Sequence, residues 1–244
     1  MTYHVLNGDA LAARFPHERL SGEVIVMREA LIDGDVNAAT EELFFEARAS
    51  HHQTRVDHYR QHVVSEWNRL ASTGDGSEIF LWFGYDLFCQ VNLWYLLHRL
   101  SDIHTRALYI VYPSYLPVAR RWDDFGYASA DDLVACYRHA IRLAPGDIEL
   151  AMRLWKAYRE NDRPLLKLLS NRQSASFPYL REVCEAQLDR APDSASEGRP
   201  QRIVRQIMNE GILSFEDAFR EFHKRAGVYG FGDVQFRTIF EQSL

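Results

Sequence analysis

Four short polar strings stand where apolar, β-rich runs end: Asn7-Gly8-Asp9, Arg28-Glu29, Gly84-Tyr85-Asp86 and Tyr112-Pro113-Ser114. Together they offer carboxylates, a guanidinium, an amide and hydroxyls. Carboxylates crowded together repel, so one of them keeps its proton to higher pH unless a cation neutralises the group. Such a set suits general acid/base chemistry or, with a divalent cation held by Asp9 and Asp86, metal-assisted chemistry. Asp9 and Asp86, with Glu29 in reserve, are therefore the catalytic candidates. Asn7, Gly8, Gln90 and Asn92 would line the site and orient polar groups of a ligand, and Arg28 would pair with an anionic one. A plainer reading stands beside this one. Asp and Asn cap helices and shape turns, and Asp9 and Asp86 each precede an apolar helical pattern.

These strings form a site only if the elements before them lie side by side. Strands are expected over residues 3–6, 24–27, 78–83 and 107–111, and helical patterns over 10–15, 37–71 and 87–100. Strand and helix in alternation predict a small Rossmann- or flavodoxin-like parallel α/β sheet of about four strands. By analogy the strand order is 2-1-3-4. In an open parallel sheet ligands bind beyond the carboxyl ends of the strands, where all four strings would lie. After about residue 128 only helical patterns follow, at 130–143, 147–160, 164–169 and 179–189, so the C-terminal part is expected to be all-helical. The expected organisation is an α/β domain over 1–127 with the strand-end pocket, a helical region over 128–191 packed on it, a linker over 192–199 and a three-helix tail over 200–244. A winged-helix-like arrangement is an alternative for that tail.

Composition narrows the classes. Of 244 residues, 47% are hydrophobic and 25% charged, which excludes a disordered or collagen-like chain. The net charge of −6 resides in residues 1–127; residues 128–197 carry −1 and residues 198–244 carry +1. That balance argues against nucleic acid as a partner, and the third tail helix offers one arginine, Arg237, against two acids. Cys89, Cys136 and Cys184 are odd in number, lie in apolar patterns and form no CxxC pair, so buried thiols are expected. The most apolar stretch, 79–97, contains Asp86, Gln90 and Asn92 and reads as strand, turn and buried helix, so no membrane span is expected. The first residues lack the pattern of a signal peptide, and a cytoplasmic location is the expectation. Neither GxGxxG after a strand nor GxxxxGK[ST] occurs, so no nucleotide cofactor is indicated. GxSxG and HExxH are absent as well. His51, His58 and His62 share a helix face by spacing, and that face is expected to be solvated, with no metal bound.

Several strings have a further meaning. His4-Val5-Leu6-Asn7-Gly8-Asp9, Arg28-Glu29-Ala30-Leu31-Ile32-Asp33-Gly34 and Leu81 through Asn92 resemble a bacterial family catalogued as domain of unknown function number 1835. Leu154-Trp155-Lys156-Ala157-Tyr158, Gly198-Arg199-Pro200 and Tyr229-Gly230-Phe231-Gly232-Asp233-Val234-Gln235 agree with it, so the resemblance covers nearly the whole chain. It implies no reaction. It does single out the same strand-end residues and adds Arg48 to the ligand-binding candidates. Relatives often carry Glu where this chain has Gly84, which leaves Asp86 to take any role of that glutamate. The leading expectation is a small-molecule-binding α/β protein, as an enzyme or as a binding protein, whose strand-end carboxylates do acid/base or metal-assisted chemistry on a small anionic or polar ligand. The alternative is a regulator or scaffold whose C-terminal helices bind a partner or DNA. Oligomeric state is left open.

Overall fold

The computed structural model of the chain describes residues 1–101, 107–116, 121–190 and 197–243. Its five strands form one sheet in the order β2-β1-β3-β4-β5, with β1 at Thr2–Asn7, β2 at Glu23–Met27, β3 at Glu78–Trp82, β4 at Ala107–Val111 and β5 at Ile141–Arg142. The first four are parallel and stand in the expected order 2-1-3-4. The sequence pattern predicts the end of a helix over 130–143 where β5 stands. That helix stops at Arg138, and Ile141 and Arg142 pair antiparallel with Ile110 and Tyr109 of β4. The pairing satisfies backbone groups of β4 that would otherwise form an open sheet edge.

Alternate strand side chains enter two apolar layers. Tyr3, Val5, Ile79, Leu81, Leu108 and Ile110 face a large core. Leu6, Phe80, Trp82 and Val111 face a smaller one. Both faces are covered, which is why the strands read as apolar throughout with no alternation. The smaller layer is closed by α1 (Asp9–Ala12) and α6 (Ala130–Arg138). The larger holds α2 (Glu41–His51), α3 (Val56–Tyr59), a π turn at Arg60–Val64, α4 (Ser65–Ala71) and α5 (Leu87–Arg99). The single helix expected over 37–71 is thus interrupted after His51, where Gln53 takes a left-handed φ of 51°.

The remaining helices extend the same layer: α7 (Pro145–Arg159), α8 (Arg163–Leu169), α9 (Leu180–Arg190), α10 (Arg199–Asn209), α11 (Phe215–Ala226) and α12 (Asp233–Glu241). Val204, Ile207, Phe222 and Phe236 of the tail are buried in the core that also holds sheet residues Val5 and Leu81. The tail therefore packs onto the α/β body. Of the linker expected at 192–199, residues 192–196 lie outside those described, and α10 begins at Arg199. Cys89, Cys136 and Cys184 are buried and free. No helix among the described residues is long and apolar enough to cross a membrane.

One polar cluster ties α2 and α3 of the larger layer to the end of β2. Glu29, just beyond β2, and Arg48 of α2 form an ion pair in which both side chains are fully buried. The carboxylate accepts from Arg48 Nε and Nη2 at 2.9 and 2.6 Å, from the Tyr59 hydroxyl at 2.7 Å and from the Ala30 amide at 2.8 Å, and it lies 3.1 Å from His52 Nε2. Arg48 also donates to the carbonyls of Ala30 and Asp33. Burial alone would raise the Glu29 pKa. The hydrogen bonds from His52 and Arg48 outweigh it and hold the carboxyl at about 2. Its folded value lies below its unfolded one, so its stabilisation is present above the unfolded value and is lost as the pH falls toward 2. Arg48→Met leaves this carboxylate buried without its cation and is expected to cost about 3–5 kcal/mol at pH 7. Urea unfolding checks this; a loss below about 1 kcal/mol, the size of an exposed pair, would show that the cluster does not hold α2 to the end of β2.

Candidate functional site

The chain leaves β1 through α1 to reach β2 on one side, then returns to place β3 on the other side of β1. The direction of connection therefore reverses between β1 and β3, and a crevice is expected beyond their carboxyl ends. A cleft of about 2150 Å³ opens there. Asn7, from the end of β1, and Asp86 and Cys89, from the β3–α5 junction, form part of its wall. The far wall comes from elsewhere: Trp122, Asp123 and Asp124 from the segment after β4, Phe219 and His223 from α11, and the Gly230-Phe231-Gly232 turn that enters α12.

Asp86 lies at the base of this arrangement and is 2% exposed. It is the N-cap of α5, its Oδ1 accepting from the Cys89 amide at 2.9 Å, so the capping reading holds for it. Two glycines press on its carboxylate. At Gly230, where φ is +63°, a Cβ would stand 1.9 Å from Oδ1, and at Gly84 a Cβ would stand 2.6 Å from Oδ2. A glutamate at position 84 thus has no room unless Asp86 moves. Burial is the main force lifting the Asp86 pKa to about 6. Its hydrogen bonds from the Cys89 amide and thiol pull the value back, and the Asp124 carboxylate lifts it further. Burial and the neighbouring Asp86 push the Cys89 thiol well up, so it stays protonated and is no thiolate nucleophile. A hydrogen-bond chain reaches this pair from the core: Asn92 Nδ2 donates to Asn7 Oδ1 at 3.0 Å, and Asn7 Nδ2 donates to Cys89 Sγ at 3.2 Å.

Of the nine nominated residues, Asn7 and Asp86 line the cleft. The others have different partners. Asp9 is 67% exposed on α1 and accepts Arg28 Nε at 2.8 Å, and Gly8, not Asp9, is the N-cap there. Arg28 also holds Glu66 and the His62 carbonyl. Asp9 does not line the cleft with Asp86, and the Arg28 guanidinium is neutralised by the protein's own carboxylates. Glu29 and Arg48 are taken up by the buried cluster, which removes them as reserve carboxylate and ligand-binding cation. Gln90 donates to the Gly84 carbonyl at 2.8 Å, and Asn92 to the Glu29 carbonyl at 2.7 Å; both stitch strand ends to α5. The Tyr112 hydroxyl donates to the Ser176 carbonyl. His51 is parted from His58 and His62 by the break after α2 and lies on the cleft wall with His52. Among the described residues no group of three or more His, Cys, Asp or Glu could hold a metal ion.

Asp123, Asp124, His223 and Gly230 were not nominated. Extending the strand-end rule along the whole segment after β4 would have found the two aspartates. The Tyr229-Gly230-Phe231-Gly232 string was visible, but nothing local says that it reaches Asp86. Burial pulls the His223 pKa down, although the nearby Asp123 and Asp124 oppose this.

No family model, no curated protein and no solved structure matches this chain. The fold and the cleft themselves define a doubly wound α/β protein whose switch-point crevice is walled by its own C-terminal helices.

The Asp86 pKa is raised above its unfolded value of 3.8, so ionising it in the folded state opposes folding as the pH climbs from about 4 to above 6. Asp86→Asn can keep the cap and cannot ionise. It is expected to match the wild type near pH 4 and to exceed it above pH 6 by roughly 2–3 kcal/mol, at about 1.4 kcal/mol per pKa unit. Thermal unfolding of both proteins from pH 4 to 8 checks this; parallel curves would show that Asp86 is not a destabilised buried charge.

Proposed function

We propose that the protein binds a small polar molecule in the cleft beyond β1 and β3, and that Asp86 holds or moves a proton on it. One observation carries the reading: a buried carboxylate, hemmed in by Gly84 and Gly230, forms the base of an open cleft at the sheet's switch point. A capping aspartate needs one helix N–H to accept. It needs neither a second carboxylate nearby nor a glycine turn from the far end of the chain pressed against it. A proton that ionises near pH 6 suits general acid/base work near neutrality. This reading covers a binding protein as well as an enzyme whose reaction includes a proton transfer. The family resemblance belongs to the same proposal. It is supported by the way three of its strings, those containing Asn7, Asp86 and Gly230, converge on one cleft. A cytoplasmic, reducing setting fits three buried free thiols.

The regulatory alternative has less support. Arg237, the one arginine of α12, stands 4.2 Å from the Phe215 ring centroid, and Arg225 of α11 is held by Glu210 and Glu221. Arg225 is thus neutralised by carboxylates, and a single ring-stacked arginine on α12 is a small footprint for phosphate binding.

A thermal-shift screen of polyols, amines, carboxylates, sugar phosphates and divalent chlorides on wild type and Asp86→Asn tests the proposal. A ligand at a hundred times its Kd is expected to stabilise the wild type by about 2.7 kcal/mol and the variant by much less. Equal shifts in both proteins would remove Asp86 from the site, and no shift with any class would remove the cleft reading.

A further inference from the structure

We infer that Asn7 and Cys89 are positioning residues for Asp86: a hydrogen-bond chain with one allowed direction runs from the Glu29–Leu31 segment through Asn92 and Asn7 and points the Cys89 thiol proton at the Asp86 carboxylate. The inference rests on Asp86 being the proton-handling group of the cleft and adds what tunes it. The chain starts at backbone groups, whose polarity is fixed. The Leu31 amide can only donate, and it meets one end of the Asn92 side chain at 3.1 Å. The Glu29 carbonyl can only accept, and it meets the other end at 2.7 Å. The Asn92 oxygen therefore faces Leu31 and its nitrogen faces Glu29. The second hydrogen of that nitrogen goes to Asn7 at 3.0 Å, so the Asn7 atom there is the oxygen. The Asn7 nitrogen is thereby turned to Cys89 and donates to its Sγ at 3.2 Å.

A sulfur that accepts from Asn7 directs its own hydrogen elsewhere, and the Asp86 carboxylate receives it. Two further contacts hold thiol and carboxylate together. The Cys89 amide donates to Asp86 Oδ1 at 2.9 Å. A Cβ at Gly84 would stand 2.6 Å from Asp86 Oδ2 and 3.0 Å from Cys89 Sγ, so both groups border the same small space. Cys89 is 5% and Asp86 2% exposed, so little water competes for either. Sulfur matters here. A thiol is a weak donor, whereas a hydroxyl in its place would bond the carboxylate strongly and hold it ionised. Burial thus keeps the Asp86 pKa raised, at about 6, with the thiol only tempering it. Among the described residues, the other charged group facing Asp86 is Asp124, after β4, and His223 of α11 lies near Asp123 and Asp124 in turn. Asn7, from β1, is uncharged, and the tail meets Asp86 through Gly230.

A carbon-13 NMR titration of the Asp86 carboxyl in the full chain tests this, with Asp86→Asn identifying the signal. The wild-type midpoint is expected at about 6. Cys89→Ser is expected to lower it and Cys89→Ala to raise it, each by roughly threefold or more in proton affinity, because a hydrogen bond to the ionised form favours that form. Asn7→Leu lets the thiol turn away and is expected to raise the midpoint as well. In a Cys89→Ala background the same substitution is expected to add nothing, since no thiol is left to aim. A further readout leaves the hydrogen-bond chain untouched and so holds even where a variant fails to fold. One S–H stretching band of the three cysteines is expected to fall in frequency as Asp86 ionises in the wild type, and none in Asp86→Asn. A midpoint that both Cys89 variants leave in place or move the same way overturns the inference and leaves Asp86 in the site. So does an Asn7→Leu shift that is equal with and without the thiol, or an S–H band that ignores the titration. A wild-type midpoint near that of an ordinary carboxyl overturns the inference together with the proton-handling role of Asp86.

Discussion

The structure turns on a carboxylate that water cannot reach. Glu29 is ionised inside the protein because four groups, drawn from α2, α3, the residues between them and its own loop, converge on it through five hydrogen bonds. A buried charge with fewer partners would be expelled or neutralised. The loop that carries Glu29 is in turn gripped from every neighbouring element. Asn92 of α5 binds the Glu29 carbonyl and the Leu31 amide, Tyr158 of α7 binds the carbonyls of Leu31 and Ile32, and Arg190 of α9 binds Ile32. The same Asn92 orients Asn7 at the end of β1. The last turn of β1, the packing of α7 and the end of α9, from which the chain proceeds to the tail, all take their places from this loop. The cleft is a consequence of that arrangement, since one wall begins at Asn7 and the tail forms part of the other.

Glu29 and Asp86 show how one side-chain chemistry reaches two ends. Both follow strands, and both are almost fully buried. Glu29 is surrounded by donors, including a guanidinium, and its pKa falls to about 2. Asp86 is hydrogen-bonded by the Cys89 amide and thiol and by its own backbone, faces a second carboxylate in Asp124, and rises to about 6. The first has no capacity left for a ligand. The second keeps an affinity for protons near neutrality, which is what a proton-handling group requires.

This contrast also marks what could be read from the sequence. The strands, their order and the apolar character of both sheet faces follow from local pattern, and so does the placing of Asn7 and Asp86 at strand ends. Which carboxylate finds a cation does not. Glu29 meets Arg48 because α2 packs across the sheet, and Asp9 meets Arg28 because the helix after β1 returns beside β2; neither pairing has a signature in spacing. The sequence reading therefore pooled carboxylates that the fold separates into a buried anchor, an exposed pair and a cleft acid. β5 escaped because Ile141 and Arg142 are too short a run to outweigh the helical pattern before them. The tail's part of the far wall escaped for a different reason: Gly230 reaches Asp86, and His223 reaches Asp124, through tertiary packing.

Gly84 and Gly230 lie far apart in the chain, and one carboxylate explains them both. A side chain at either position would occupy space held by Asp86, and at Gly230 the left-handed backbone would be strained as well. The tail is thus fitted to the acid it covers. Burial is the main reason the Asp86 proton is held near pH 6, and the turn at Gly230 supplies part of that burial. By linkage, a contact that favours the protonated carboxyl is itself favoured by protonation. Docking of the tail and the charge on Asp86 are therefore one equilibrium seen from two sides. The C-terminal helices are then a working part of the site: without the turn at Gly230 the cleft would lose part of its far wall and its carboxylate would revert toward an ordinary helix cap.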